Sequence, residues 1–412
     1  MKLNLKNIGK IKEATVELNG ITVIAGGNDT GKSTVGKALY CLFNSLYQID
    51  HRILKEKQYG IENAVRNQGA FLFGNLNATL SNMILNEKEL YLKNQDALTE
   101  VLRHYLKDEE EDHLVEVSQR VKEILEISDD EIIKNIFTKI LSLEFDGQIN
   151  NIFQNEKAEV ELSVKNKQIR LWIEENKVTQ FEEKMQLDTE VVYIDDPFII
   201  DEITPSKVSK FLWLEDELYK EHREHLKAKI TSENKIVGII DSILVDRGLQ
   251  AVLNKLNEVC EGKIENDQQG RLIYRKKDKN LNISNLSTGL KTFVILKILL
   301  EKGIIEQNGT IILDEPEIHL HPEWQLLFAE LIVLLQKEFR LHILLNTHSP
   351  YFLKAIETYS AKYEIADRCK YYLSYMEGES SELEDVTTCT EKIYQKLTIP
   401  LETLQREIYG ND

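Results

Sequence analysis

The chain has 412 residues, 42% of them hydrophobic and 29% charged, with only 19 glycines and 6 prolines. This composition excludes the disordered and fibrous classes and supplies enough apolar residues for a large core. The 69 acidic residues outnumber the 51 basic ones, giving a net charge of −18, which opposes a broad, non-specific grip on a nucleic-acid backbone.

The start of the chain predicts short strands followed by a helix. Residues 1–25 show alternating apolar positions or short apolar runs, and residues 31–47 show helical spacing. The pattern is not that of a signal peptide, and no stretch has the length of a membrane span. Four widely separated cysteines fit neither a disulfide framework nor a zinc site. We therefore expect a cytoplasmic protein.

The middle of the chain alternates between helical and strand patterns. Residues 48–150 are polar and predict a helical insertion. Residues 151–205 predict a hairpin, VELSV and IRLWIEE around a turn, and then one buried strand in EVVYIDD. Residues 206–263 predict a second helical segment, whose His222 and His225 we expect on a solvated face. Because neither helical region sustains apolar heptads, a long coiled-coil arm is not expected.

From residue 264 to residue 412 the pattern returns to alternating strands and helices, as in an α/β fold. The tail predicts one strand, CKYYLSYM, and a short helix after Pro400. The other predicted elements are a hairpin through 272–274, a helix over 290–302, a strand over 310–314, a helix over 323–337 and a strand over 341–346.

The strongest motif lies between the strand that ends near residue 25 and the helix that follows it. It matches G-x-x-x-x-G-K-[ST], in which glycines let backbone N–H groups wrap a phosphate chain and the helix start adds its positive dipole end. We expect Lys32 to reach the β- and γ-phosphates of ATP and Ser33 to hold Mg²⁺. The predicted nucleotide-binding residues here are Gly26, Gly27, Asn28, Asp29, Thr30, Gly31, Lys32, Ser33 and Thr34.

A second motif is the apolar strand TIILD, which ends in the adjacent carboxylates Asp314 and Glu315. A buried strand would deliver Asp314 to the edge of the sheet, where it can hold Mg²⁺ beside Ser33. Glu315 is then the candidate to orient or deprotonate the attacking water. Such a strand end is common by itself, but together with the glycine loop it predicts a phosphoryl-transfer site.

A third motif, Ser287-Thr288-Gly289, opens the predicted helix that precedes the TIILD strand. Ser287 is expected to cap that helix. A serine and a glycine at a helix start also form an anion site.

With these motifs in this order the chain resembles the ABC ATPase superfamily, whose signature L-S-x-G reads LSTGL here. DEPEIHLHPEWQ and LNTHSP are similar to segments of its OLD, RecF and Rad50-like branch. The resemblance covers roughly residues 1–45 and 265–355. It implies an α/β fold: an ABC-type P-loop ATPase head, with a mixed sheet, flanking helices and an antiparallel β lobe, that carries a mostly helical insertion.

The resemblance also implies roles for residues outside the glycine loop. Ser287 and Gly289 are expected to touch the γ-phosphate of nucleotide held by the opposite subunit, and Lys291 is included in this predicted contact. His348 matches the switch histidine, which is expected to bond the γ-phosphate or its water. Leu290 stands where transporters usually have Gln, which disfavours a transporter subunit. The implied assembly is a homo-oligomer, at least a nucleotide-sandwich dimer.

The chain is accordingly divided into five segments. The implied head comprises 1–47, with the β lobe and glycine loop, the β segment 151–205, and 264–412, with the signature, the Asp-Glu strand and the switch histidine. Residues 48–150 and 206–263 are the two helical segments.

Three groups of residues keep more than one interpretation. Asp195 and Asp196 follow a predicted strand where the family has a linking glutamine, or they are a solvated strand end. His319 and His321 suit a metal site or, as their position favours, a subunit interface. The best basic patch, a candidate DNA contact or ordinary surface, is Arg271, Arg275, Lys276, Lys277 and Lys279.

The favoured function is an ATPase that dimerises around ATP and controls a partner effector in prokaryotic anti-phage defence. In the OLD nucleases that the chain resembles, a Toprim domain follows the position of His348. The tail here is too short for such a domain. The resemblance therefore implies a separate effector protein. The alternatives are a RecF- or Rad50-like DNA-repair ATPase and an ATP-binding scaffold with little turnover.

Overall fold

The computed structural model describes two compact units. The head unit comprises Met1–Ser45, Thr138–Met185 and Thr189–Asp412, and the helical unit comprises Leu46–Phe137 and Gln186–Asp188. The described residues are 1–66, 75–106, 110–154, 156–182, 185–203, 219–232, 250–267 and 271–409.

The head unit is built on a mixed sheet. Among the described residues, eleven strands form it in the order β6-β5-β4-β1-β2-β14-β13-β3-β12-β11-β7, and β10-β9-β8 form a small antiparallel sheet. The strands are β1 Lys2–Ile8, β2 Ile11–Glu17, β3 Ile21–Gly26, β4 Ala158–Val164, β5 Lys167–Glu174, β6 Lys177–Glu182, β7 Val191–Ile194, β8 Lys263–Asn266, β9 Leu272–Lys276, β10 Lys279–Asn282, β11 Thr310–Asp314, β12 His342–Thr347, β13 Cys369–Glu377 and β14 Ser380–Asp385.

The central strands place the site. β13, β3, β12, β11 and β7 run parallel to one another, and β3, β11 and β7 are buried along their whole length. This burial explains why they are apolar runs rather than alternating patterns. Because carboxyl ends of parallel strands meet at one edge of a sheet, the ends of β3, β11 and β12 lie side by side.

Twelve helices have described bounds. One of them, α9 (Thr288–Glu301), packs in the head core, where the ring of Phe293 meets the rings of Trp324 and Phe328 edge-on at 5.7 and 5.3 Å. Residues 250–257 are also helical. The twelve are α1 Lys32–Leu46, α2 Ile49–Arg66, α3 Asn75–Asn86, α4 Lys88–Lys93, α5 Gln95–Tyr105, α6 Glu111–Glu126, α7 Asp129–Glu144, α8 His222–Thr231, α9 Thr288–Glu301, α10 Pro322–Phe339, α11 Pro350–Lys362 and α12 Glu391–Tyr409.

The helical unit has its own apolar core, formed where α2 to α6 turn one face inward. Ile61, Leu98 and Val121 are fully buried in it. In the described part of the chain, no helix combines the length and the apolar character that crossing a bilayer requires.

The predicted fold class is confirmed, and most predicted elements of the head lie within a few residues of the observed ones. β6 and β14 were not predicted, and α12 begins at Glu391 and contains Pro400. The prediction that His222 and His225 face solvent is wrong, because both are buried on the inner face of α8. Much of the predicted second helical segment, residues 206–218 and 233–249, lies outside the described residues.

Candidate nucleotide-binding site

The glycine loop joins β3 to α1 and is packed tightly against β13 and β14. A Cβ at Gly26 would lie 2.4 Å from the carbonyl oxygen of Ser374, and one at Gly31, where φ is +81°, would lie 2.6 Å from Ser381 Oγ. The Thr30 hydroxyl donates to the Gly27 carbonyl at 3.0 Å. Two glycines are therefore needed for the loop to keep this shape.

Lys32 is the first residue of α1 and is only 5% exposed. Its ammonium donates to the Gly27 carbonyl at 2.7 Å and lies 3.3 Å from Glu315 Oε1. The charge of Lys32 is thus held inside the loop, facing the carboxylate that follows β11.

The carboxylates after β11 are fixed by the neighbouring strands. Asp314 is buried, and its Oδ2 accepts from Tyr193 Oη at 2.8 Å while its Oδ1 accepts from Asn346 Nδ2 at 2.9 Å. Glu315 has left-handed backbone geometry, with φ +48°, and its amide donates to the Asn346 carbonyl at 3.0 Å. His348 Nδ1 lies 3.2 Å from Glu315 Oε1. The structure therefore brings the predicted catalytic pair together, next to Lys32.

The turn that carries His348 is held by a buried carboxylate that the sequence did not single out for a role. The Thr347 hydroxyl donates to Glu317 and accepts from the Ser349 amide at 3.0 Å. Glu317 is 1% exposed, and this burial raises the pKa of its carboxyl group. The repeated acid in DEPE, two residues after Glu315, was the available signal.

A cleft of about 700 Å³ runs along these groups. Two of its lining residues are large, apolar and exposed, Ile152 at 64% and Phe153 at 45%. Sequence reasoning missed this pair, although two large apolar residues in a polar turn are unusual. The cleft is lined by Gly9, Lys10, Asn28, Asp29, Thr30, Gly31, Lys32, Ser33, Thr34, Phe145, Gln148, Ile152, Phe153, Asp195, Asp314, Glu315 and Ile318.

Hydrogen bonds hold the turn that carries these two apolar residues. The amide of Asn151 donates to the Asn7 carbonyl and the amide of Gly9 to the Ile149 carbonyl, both at 2.9 Å. The Asn151 side chain accepts from the Phe153 amide at 2.8 Å. These bonds join the turn at 149–153 to the turn between β1 and β2, so the exposed apolar side chains keep their place beside the glycine loop.

The two aspartates after β7 have different roles. Asp195 lines the cleft and is paired with His222 Nε2 at 3.1 Å and Arg223 Nε at 2.9 Å. Burial alone would raise its pKa, but these two partners hold it below the usual value. Asp196 instead caps the following short helix by accepting from the Phe198 amide at 2.8 Å.

The residues of the third motif stand apart from this cleft. Ser287 is exposed at the start of α9. The expectation that its side chain caps this helix is wrong, because in the described chain that side chain makes no capping hydrogen bond. Gly289 is buried, and a Cβ there would lie 2.9 Å from the His319 carbonyl. Lys291 is buried too, and its ammonium donates to Asp201 Oδ2 at 2.6 Å. None of these three is among the described residues that line the cleft of their own chain.

Most of the basic patch is paired with acidic residues in or next to its own small sheet. Arg271 pairs with Asp267 at 2.9 Å, and Lys276 pairs with Glu261 at 3.0 Å. Arg275 pairs with a further glutamate at 3.0 Å. Three of the five predicted basic residues therefore already have acidic partners.

The donors at the cleft suit Mg²⁺ but not a metal cage made of protein ligands alone. Ser33 and Asp314 both line the cleft, and Mg²⁺ is usually held by one or two protein oxygens together with phosphates and water. Among the described residues no group of three or more His, Cys, Asp or Glu side chains could hold a metal; His319 instead packs edge-on against Phe198 at 5.6 Å.

Comparisons with known proteins follow this geometry. A family model described as "AAA ATPase domain" matches residues 1–353. The OLD nuclease of Thermus scotoductus (strain ATCC 700910 / SA-01) is 34% identical over 83 residues, which are 20% of this chain and 16% of that protein. The Retron Vc95 probable ATPase of Vibrio cholerae serotype O1 biovar El Tor is 23% identical over 176 residues, 36% of this chain and 34% of that protein. The chain thus covers far less than two thirds of either relative.

Solved structures also match over most of the chain. The SMC head domain from Thermotoga maritima has 11% identity and a TM-score of 0.40, covering 93% of this chain and 98% of that one. An SmcHead bound to the C-winged helix domain of ScpA has 13% identity and a TM-score of 0.46, covering 93% and 97%.

Proposed function

Because the chain belongs to the AAA ATPase domain family, we propose that it binds ATP with Mg²⁺ in the described cleft and hydrolyses it. One observation carries this proposal: Lys32 and His348 lie 3.3 and 3.2 Å from the same oxygen of Glu315, at the edge where β3, β11 and β12 end. A phosphate-binding cation, a carboxylate and an imidazole at one point are the groups that phosphoryl transfer to water needs.

The cleft offers a place for each part of the nucleotide. The loop N–H groups and Lys32 bind the phosphates. Ser33 and Asp314 would hold Mg²⁺, which neutralises charge on the phosphates when bound. Ile152 and Phe153 offer an apolar surface on which the base can pack.

The pairing of Glu315 with Lys32 supports an ordered sequence of events. Phosphate oxygens compete with Glu315 for the Lys32 ammonium, since both are anionic partners of one cation. Once released, the Glu315 carboxylate can accept a proton from water, while the imidazole of His348 donates towards the γ-phosphate. ATP binding thus frees the Glu315 carboxylate to act as the base.

We extend the proposal to a dimer that shares its sites. Ser287 is exposed, and the cleft of its own chain is lined by other residues, so its serine-glycine helix start is free to meet phosphate held by a second copy. Ile318, which borders the cleft, and Phe198 are 53% and 43% exposed, as expected of residues that a partner covers.

We also propose that the ATP cycle controls a separate effector protein in prokaryotic anti-phage defence. The support is the motif resemblance to the OLD branch together with the names of the two relatives, an OLD nuclease and a retron ATPase. The DNA-repair alternative is not favoured, because the basic patch is mostly paired with its own acids.

Two variants test the core of the proposal. Lys32→Ala should lose ATP binding by about 100-fold or more, because a buried cation on the phosphates is removed. Glu315→Gln should bind ATP normally yet release phosphate about 100-fold more slowly, because its amide cannot take a proton. Binding is measured with a fluorescent ATP analogue and turnover as phosphate release.

The matched control is Lys12→Ala, which removes an exposed lysine of β2 that pairs with Glu377 and Glu382. It should change neither quantity. ATP binding by Lys32→Ala at the wild-type level would refute the assigned site.

A further inference from the structure

A series of buried polar side chains begins at Asp314. Tyr193 belongs to β7, which pairs with β11 so that Tyr193 faces Ile312 in register. Its side chain is 1% exposed and its hydroxyl donates to Asp314 Oδ2 at 2.8 Å. A Cβ at Gly36 of α1 would lie 3.0 Å from this hydroxyl. The hydroxyl is therefore enclosed between α1 and the carboxylate.

The Tyr193 ring rests on a second side chain, the imidazole of His222. The two rings are stacked, with centroids 4.3 Å apart and an interplanar angle of 26°. His222 is the first residue of α8, and it is buried. A residue from the second helical segment thus lies directly beneath the tyrosine.

His222 is held at both ring nitrogens. Nδ1 lies 2.6 Å from Glu144 Oε1, and Nε2 lies 3.1 Å from Asp195 Oδ2. The His222 amide also donates to the other Glu144 oxygen at 3.0 Å. An imidazole fixed between two carboxylates from α7 and the end of β7 cannot rotate without breaking a buried ion pair.

These contacts form one path of named groups: Glu144 and Asp195 fix His222, His222 supports Tyr193, and Tyr193 orients Asp314. Outer hydrogen-bond partners of this kind set the direction of a metal-binding carboxylate and affect metal affinity. All five residues belong to the head unit.

We propose that Tyr193 is a positioning residue that aims Asp314 at Mg²⁺, and that His222 keeps Tyr193 in that position. The inference rests on the proposed function, since it concerns the same Mg²⁺–ATP site. Through His222, the helix α8 then supports the metal end of the cleft from behind.

The test compares nucleotide binding by the full-length chain across a MgCl₂ titration. Tyr193→Phe removes one hydroxyl and preserves the ring, so it should raise the Mg²⁺ concentration at half-maximal effect by about tenfold. Affinity for a fluorescent ATP analogue without Mg²⁺ should stay at the wild-type value. His222→Asn should move the Mg²⁺ midpoint in the same direction. A role limited to folding would shift the melting temperature without this split.

Two controls match these changes. Tyr372→Phe removes another buried hydroxyl, which accepts from the Glu17 amide at 2.9 Å. His225→Asn removes the neighbouring buried imidazole of α8, whose Nε2 lies 3.7 Å from Glu190. Both should keep the wild-type Mg²⁺ midpoint.

Three results would overturn the inference, and they differ in whether they also refute the proposed function. A wild-type midpoint for Tyr193→Phe refutes it directly. An equal shift in His225→Asn and His222→Asn assigns the effect to α8 in general. Both of these leave the nucleotide site intact. Absence of any nucleotide binding by the wild-type chain refutes the proposed function and the inference together.

Discussion

At the scale of single residues, the hydroxyl of Thr347 joins the buried Glu317 carboxylate to the partly buried backbone amide of Ser349. It donates to Glu317 and accepts from the Ser349 amide. Thr347→Val keeps the shape but removes one hydrogen-bond partner from each of these groups, so we expect it to lower the free energy of unfolding by about 2 kcal/mol. Because this turn carries His348, phosphate release should slow as well.

Urea unfolding and a turnover assay check this prediction. The control is Thr358→Val, which removes an exposed hydroxyl that bonds a carbonyl of its own helix at 2.7 Å and should cost little. Equal losses of stability in the two variants would show that the buried bridge adds nothing.

The residues that the sequence identified are those with a local pattern. The glycine loop, Asp314, Glu315 and His348 each lie at a recognisable strand end, and the structure brings them together at one edge. Tyr193 and His222 have no such pattern. Their partners Asp314 and Glu144 are 121 and 78 positions away along the chain. The many charges of the helix around His222 predicted that this histidine faces solvent, whereas it is buried and pairs with two carboxylates.

At the scale of elements, Glu330 connects three helical stretches. Its Oε1 accepts from Lys362 at 2.8 Å and from the Tyr363 hydroxyl at 2.6 Å, and its Oε2 lies 3.0 Å from Lys255. Burial tends to raise its pKa, but these partners lower it to about 2. Because the pKa of Glu330 is lower in the folded state, its ion pairs contribute fully to stability above its pKa in the unfolded chain, near 4.5. This contribution is lost as the pH falls towards 2.

Glu330→Gln should therefore lower the free energy of unfolding at pH 7 by about 2 kcal/mol, and the loss should shrink at pH 3. Urea unfolding at both values measures it. Glu338→Gln, on the same helix, serves as the control with a small effect at either pH. A penalty for Glu330→Gln that is independent of pH would contradict the assigned ion pairs.

Strands with a continuous apolar pattern were predicted from the sequence, and strands that are mostly polar were missed. β11 was predicted with its observed bounds because it is apolar throughout. β6 is mostly exposed and polar, so only its hydrogen bonds to β5 identify it. β14, SSELED, lacks apolar residues except Leu383 and is defined by pairing with β13 and β2. Pro400 suggested a helix start, yet α12 continues through it, although proline removes one backbone donor there.

At the scale of the whole molecule, the predicted fold class is confirmed. The predicted resemblance to ATPases of the OLD and Rad50-like branch is confirmed as well, since an AAA ATPase domain model matches residues 1–353 and an OLD nuclease matches part of the chain. The order of the motifs along the chain was sufficient to predict the fold, because a head built from distant segments forms its site only when each motif lies at the end of the correct strand. The return of residues 186–188 to the helical unit could not be predicted, since three residues carry no periodic signal.

The proposed dimer with shared sites predicts that two inactive variants complement each other when mixed. Ser287→Arg places a bulky cation at the exposed start of α9, so it should abolish phosphate release while the variant still binds ATP as a single subunit. Lys32→Ala should be inactive for the opposite reason, because its own cleft is defective. In a two-fold dimer of one chain of each kind, one site combines an intact cleft with an intact serine.

Mixing equal amounts of the two inactive variants should therefore restore about a quarter of the wild-type turnover, since about half the dimers are mixed and each has one working site of two. Mixing Lys32→Ala with Glu315→Gln is the control: both changes lie in the cleft itself, so every site in every dimer keeps a defect and no activity should return. Failure of the first mixture to recover, with dimers present, would mean that each cleft works without the serine of a second copy.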